Sequence, residues 1–209
     1  MNDTLTQYFQ NNDPALLIST LFAGLIIIVG LGYLFYRFNK PTDEKLIENT
    51  IREIADECMK DVIISDGMYG YYFVDYLMLL SGKIIVLGVE HYEGYIFGGE
   101  NIDEWAQVVN QKSYKFKNPL RSYVACAQNI NDLFKGADVE ARIIFTSAGN
   151  FPKGVPKGVY QMQDFKAELN DIKHSNITSA DIVEIWQKLK KTVNEHMGQY
   201  HTEKLEGAA

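Results

Sequence analysis

The run Tyr71-Tyr72-Phe73-Val74-Asp75-Tyr76-Leu77-Met78-Leu79-Leu80-Ser81-Gly82-Lys83-Ile84-Ile85-Val86-Leu87-Gly88-Val89-Glu90 decides the fold. Two apolar stretches rich in β-branched and aromatic residues flank Ser81-Gly82-Lys83, the pattern of a tight hairpin between largely buried strands. The loop fixes which side chains meet. With Ser81-Gly82 as a two-residue loop, Leu80 pairs with Lys83 and Asp75 lies opposite Gly88. With Gly82-Lys83 as the loop, Asp75 lies opposite Glu90. Side chains alternate along a strand, so in either register Asp75, Gly88 and Glu90 share one face. An acid inside such a run is costly to bury unless it is hydrogen-bonded, paired or bound to a cation.

Outward from the hairpin, Leu46, Ile47, Ile51, Ile54, Ala55 and Cys58 recur at helical spacing, which predicts an amphipathic helix from Asp43 to about Lys60. Val62–Ser65 reads as a short strand before the Asp66-Gly67 turn. Downstream, Tyr92–Phe97 is a further strand, and Ile102–Val109 carries Trp105 as a core anchor. Ser122–Phe134 reads as a helix, Ala141–Thr146 as a buried strand and Val159–Met162 as an edge strand. Phe151–Gly158, with two prolines and two glycines, is a loop. Thr178–Gly198 is a helix capped by Thr178, with Ile182, Ile185, Trp186, Leu189 and Val193 on one stripe. The polar residues after Gly198 read as a frayed tail. The pattern is one α/β domain with a sheet flanked by helices.

The N-terminus adds a second element. From Pro14 to Tyr36 the chain carries no charge, and 23 helical residues cover about 34 Å, enough for a hydrocarbon layer of about 30 Å. Arg37 and Lys40 follow this stretch, whereas no base precedes it. A cleaved signal peptide has the opposite arrangement. The expected organisation is therefore an external tail over 1–13, a transmembrane helix over 14–37, a linker over 38–45, a cytoplasmic domain over 46–198 and a flexible tail over 199–209. The lipid bilayer is the first expected partner.

Hydrophobic residues at 46% and charged residues at 22% exclude a disordered or collagen-like chain. The net charge of −7 excludes a protein coated all over for nucleic acid. Cys58 and Cys126 lie far apart in no metal-binding spacing, which fits a reduced compartment. The charge is uneven: Lys112-Ser113-Tyr114-Lys115-Phe116-Lys117-Asn118-Pro119-Leu120-Arg121 holds four bases and no acid. Lys112, Lys115, Lys117 and Arg121 are the candidate nucleic-acid contacts, and four bases support only weak, salt-sensitive binding.

Together, Asp75 before an apolar strand, the Gly82-led hairpin, the strand closing on Gly88-Val89-Glu90, the Tyr92-Glu93-Gly94 turn, Trp105 and Asn118-Pro119 resemble the nuclease-related domain, NERD. The resemblance covers about Glu44 to Phe165. Members often carry an N-terminal membrane span. The family is similar to restriction-endonuclease-like PD-(D/E)xK nucleases, which implies a mixed β-sheet flanked by helices and Mg²⁺-dependent phosphodiester hydrolysis. In that chemistry an aspartate and a glutamate on adjacent strands hold the metal, and a lysine two residues on supplies positive charge. Asp75 matches the aspartate. Gly88 stands at the glutamate position, Glu90 at the lysine position, and Ser122 where the family usually has a glutamine.

Two readings follow from the resemblance. One is a degenerate nuclease domain retained as a binding or scaffolding module for a protein partner. The other is a DNA nuclease in which Glu90 joins Asp75 as a migrated metal ligand, with His91 or Lys83 as a distant substitute for the lost lysine.

Overall fold

The computed structural model describes residues 14–39, 41–174 and 180–206. The chain divides after Thr42. In the first unit, helix α1 spans Pro14–Asn39, 26 residues or about 39 Å. Its described side chains, Ser19 and residues 22–35, are exposed apart from Gly24. Among the described residues no helix is long and apolar enough to cross a membrane. Residues 1–13, Lys40 and Thr178, named above for the tail, the flanking charge and a cap, lie outside the described residues.

The second unit is built on the predicted hairpin. β2 (Tyr71–Leu80) and β3 (Lys83–Glu90) pair antiparallel with Leu80 opposite Lys83. The loop is therefore Ser81-Gly82. Both residues have positive φ, 48° and 84°, as a turn matching the twist of paired strands requires. β1 (Glu57–Ser65) adds antiparallel to β2, and β7 (Val139–Phe145) and β9 (Val159–Gln161) continue parallel beyond β3. The sheet order is β1-β2-β3-β7-β9. A second sheet, β6-β5-β4-β8, is built from β4 (Gly94–Phe97), β5 (Glu104–Val109), β6 (Lys112–Lys117) and β8 (Gly149–Asn150).

Helices cover both faces of the first sheet. α3 (Leu120–Leu133) and α5 (Ala180–Glu206) lie on one, where Ile130, Cys126, Trp186 and Val193 join Leu77, Val86 and Ile143 in a buried cluster. α2 (Asp43–Ile54) and α4 (Phe165–His174) lie on the other, burying Ile47, Ile51 and Leu169 against Met78, Ile85 and Leu87. The second sheet joins the first cluster through Ile96 and Trp105, both 1% exposed.

Two boundaries and one helix differ from the sequence reading. The first helix stops at Ile54, and residues from Glu57 onward are strand. The helical stripe fits only to Ile54, because Leu46 and Cys58 are exposed. Asp56 ends the helix twice over: its N–H donates to Leu79 O (2.9 Å) and its carboxylate accepts from Ser81 N (2.7 Å). The chain is thereby delivered to the free edge of β2. The polar tail expected after Gly198 is helix through Glu206. Tyr200 packs edge-on against Tyr71 and Phe73, and the Tyr71 hydroxyl donates to Glu203 at 2.8 Å. Helix α4 was not anticipated; Phe165 and Leu169 are its only fully buried residues, too short a stripe to register as periodicity.

β1 and β2 change phase together. Strict alternation from Leu77 places Val74 on the opposite face, yet Val62, Ile64 and Val74 share the cluster of Leu77. The break falls at Asp61, whose φ is +54°, level with Asp75 in the register.

Candidate functional site

Asp75 sits where β2 and β3 part. Their pairing ends at Tyr76 opposite Leu87, one residue short of Asp75. Beyond that point the Val89 N–H has no β2 backbone partner and donates instead to Asp75 Oδ2 at 2.8 Å. The same oxygen accepts the Tyr123 hydroxyl of α3 at 3.1 Å. Asp75 thus holds the opened strands and the helix above them, which satisfies a half-buried carboxylate without a cation.

Gly88 is buried on the same face. A Cβ placed there would lie 2.1 Å from Tyr123 Cζ and 2.6 Å from its hydroxyl. The tyrosine ring occupies the space into which a side chain at 88 would point. Tyr123 is the site residue that sequence reasoning missed. Its signal was the glycine itself, since glycine within a strand often marks a close approach.

Glu90 completes the cluster. Burial pushes its carboxyl up to about 7, with the charge of Asp75 adding to the effect. Burial, then Asp75 and Glu90, hold the Tyr123 phenol well above its ordinary range. Asp75, Gly88 and Glu90 do share one face, but the third group among them is a phenol rather than a cation. Lys83 does not serve as the missing cation. It pairs with Glu140 (2.6 Å) and Asp138 (3.2 Å) at the hairpin end, about 23 Å from Glu90 along β3. His91 is exposed. No group of three or more His, Cys, Asp or Glu able to hold a metal ion occurs among the described residues.

Glu90 also lines a cleft of about 620 Å³ with Tyr92, Lys117, Arg121 and Ser122. Arg121 is ion-paired with Asp103, and Lys115 with Glu104 at 3.2 Å. Lys112 and Lys117 have no carboxylate partner among the described residues. Tyr114 is half exposed, whereas Phe116 stacks on Tyr92 at 4.0 Å, so only one of the two aromatics is packed. The Ser122 hydroxyl donates to Pro119 O at 3.0 Å.

Two further pieces of the pattern brace the loop between β4 and β5. Asn118 is 4% exposed; its amide donates to Ile102 O and Glu100 O, and its oxygen accepts Leu120 N at the start of α3. Trp105 Nε1 donates to Gly99 O (3.1 Å), and its ring leaves no room for a Cβ at Gly98.

The family model of the nuclease-related domain matches residues 42–146, which hold β1 to β7 and every residue of the cluster. The chain belongs to the NERD family. No curated protein and no solved structure matches it. The NERD match ends with β7, so β8, β9, α4 and α5 lie beyond it. Within the NERD match, Trp105 and Asn118 brace the loop between β4 and β5, and Asp75, Gly88, Glu90 and Tyr123 cluster where β2 and β3 part.

Proposed function

We propose that this NERD protein is a membrane-anchored binding or scaffolding module whose nuclease-type site no longer hydrolyses phosphodiesters. The observation that carries the reading is the Tyr123 ring packed over Gly88. It fills the place of the second metal-binding carboxylate and ties up Asp75 Oδ2. The donors present do not fit a Mg²⁺ clamp. One ligand position is a glycine, the other acid is held partly neutral near pH 7, and the cation that would balance a phosphate is replaced by that acid. A migrated-carboxylate nuclease would need Glu90 charged beside Asp75, and only a metal would offset their repulsion.

The full-length protein in detergent is expected to leave plasmid, linear and single-stranded DNA intact with Mg²⁺ or Mn²⁺, at the level of its Asp75→Ala variant. Metal-dependent cutting lost in both Asp75→Ala and Glu90→Ala would establish the migrated-carboxylate site instead.

Among the described residues no helix is long and apolar enough to cross a membrane; anchoring is supported by the sequence, in the charge-free stretch 14–36 and the bases on its C-terminal side alone. The expected topology is an external N-terminus and a cytoplasmic domain. A C-terminal reporter that fluoresces only in the cytoplasm should light up. Activity of an export-dependent reporter at the same position would reverse the orientation.

A further inference from the structure

We infer that the outward face of the second sheet is a docking surface for anionic lipid headgroups. The inference rests on the anchoring proposed above. The domain begins at Asp43, whose carboxylate accepts Ser147 N (2.8 Å) and Ser147 Oγ (2.6 Å). Two residues on, β8 pairs with β4, with Asn150 opposite Tyr95. The point where the chain enters the domain is therefore beside the second sheet. The chain from Asn39 to Asp43 reaches at most about 14 Å.

The face has the chemistry for that surface. Ile96 and Trp105 point inward, so alternation and register place Tyr95, Phe97, Lys115 and Lys117 outward. Tyr95 is 54% exposed. Lys153 lies over the Phe97 ring at 5.6 Å. Lys117 has no carboxylate partner among the described residues, and Lys115 meets only Glu104. A domain with net charge −7 thus presents bases and half-exposed aromatics on one sheet face, with Asp43 at its β8 edge and the β6 lysines at the opposite edge, Lys117 across from Glu104. Tyrosine favours the membrane–water interface and lysine favours anionic headgroups. A nucleic-acid strand would meet the same lysines, but Tyr95 at 54% exposed beside them suits the membrane–water interface.

The test places a single added indole in the full-length protein, reconstituted into vesicles of neutral lipid or of neutral lipid with about 30% anionic phosphatidylglycerol. The Tyr95→Trp variant reports on the proposed face. The Lys135→Trp variant, substituted at an exposed position beyond the far end of α3, is the control. The parent, whose own Trp105 and Trp186 are buried, is the blank. Doxyl lipids should quench the indole of Tyr95→Trp strongly in anionic vesicles and weakly in neutral ones, and that of Lys135→Trp in neither. Neutralising Lys115, Lys117 and Lys153 to Gln should lower the docked-to-undocked ratio by about fivefold per lysine, and high salt should act alike.

Carbonate extraction of the same vesicles reads anchoring separately. Anchored protein in which the position-95 indole is unquenched, or in which both indoles are quenched equally, overturns docking and leaves anchoring standing. Extractable protein whose position-95 indole is still quenched by anionic vesicles overturns anchoring alone. Extractable and unquenched protein overturns both. Lysine-dependent binding of a DNA oligonucleotide without lipid quenching overturns the lipid assignment in favour of nucleic acid.

Discussion

Gly88→Ala is expected to destabilise the domain by about 1–3 kcal/mol, the usual cost of forcing atoms into a filled core. Glycine to alanine inside a strand would ordinarily be neutral or stabilising, so the sign of the change reports the local packing. The added methyl meets Tyr123 Cζ at 2.1 Å, and the ring cannot retreat without breaking its hydrogen bond to Asp75. A double-mutant cycle isolates the effect. In a Tyr123→Ala background, itself destabilised, Gly88→Ala should cost close to nothing, giving a coupling of about 1–3 kcal/mol from urea midpoints. Equal costs in the two backgrounds would mean that Tyr123 does not cover position 88. By the same contact, a glutamate placed at 88 with a lysine at 90 is expected to be accommodated only if Tyr123 is also shortened.

Glu90 should make the fold less stable as pH rises. Its carboxyl is raised in the folded state to about 7, whereas an unfolded glutamate titrates near 4.3. Between these values the folded chain binds the extra proton, so stability is highest below the unfolded value and is lost as pH rises through the folded one. At full weight the difference amounts to about 4 kcal/mol, and solvent screening of this partly exposed group reduces it to the order of 1–2 kcal/mol. Urea unfolding at pH 5 and pH 8 should show this loss in the parent and not in Glu90→Gln. Subtracting the two profiles removes the histidines and other shared groups. At pH 8 the variant should be the more stable protein, and parallel profiles would contradict the assignment.

The central hairpin was legible in the sequence because its loop and its period agree. The shared face of Asp75, Gly88 and Glu90 required nothing beyond alternation, whereas the sequence left open whether Ser81-Gly82 or Gly82-Lys83 forms the loop, and the pairing of Leu80 with Lys83 selects the former. Trp105 and Asn118-Pro119 were legible as a pattern, but their work is to brace the turn between β4 and β5. What escaped were contacts between distant segments. Tyr123 reaches Asp75 across 48 residues, and no spacing rule links a helix tyrosine to a strand glycine. The end of α2 at Ile54 likewise depends on the edge of β2, which competes for residues 57–60 and wins. Helix α5 continues past Gly198 because Tyr71 and Phe73 offer it a surface, a fact written in β2 rather than in the tail.

Asp75 spans the gap where two strands separate, and that task has no need of a metal. Replacing it would strand the Val89 N–H and the Tyr123 hydroxyl together, a folding penalty whatever the domain does. Natural selection for foldability alone would then keep an aspartate at this position in lineages that had long since stopped cutting anything. An aspartate here is therefore weak testimony to hydrolysis, and positions 88 and 90, which hold no such joint together, are the ones whose variation would record a lost or living trade.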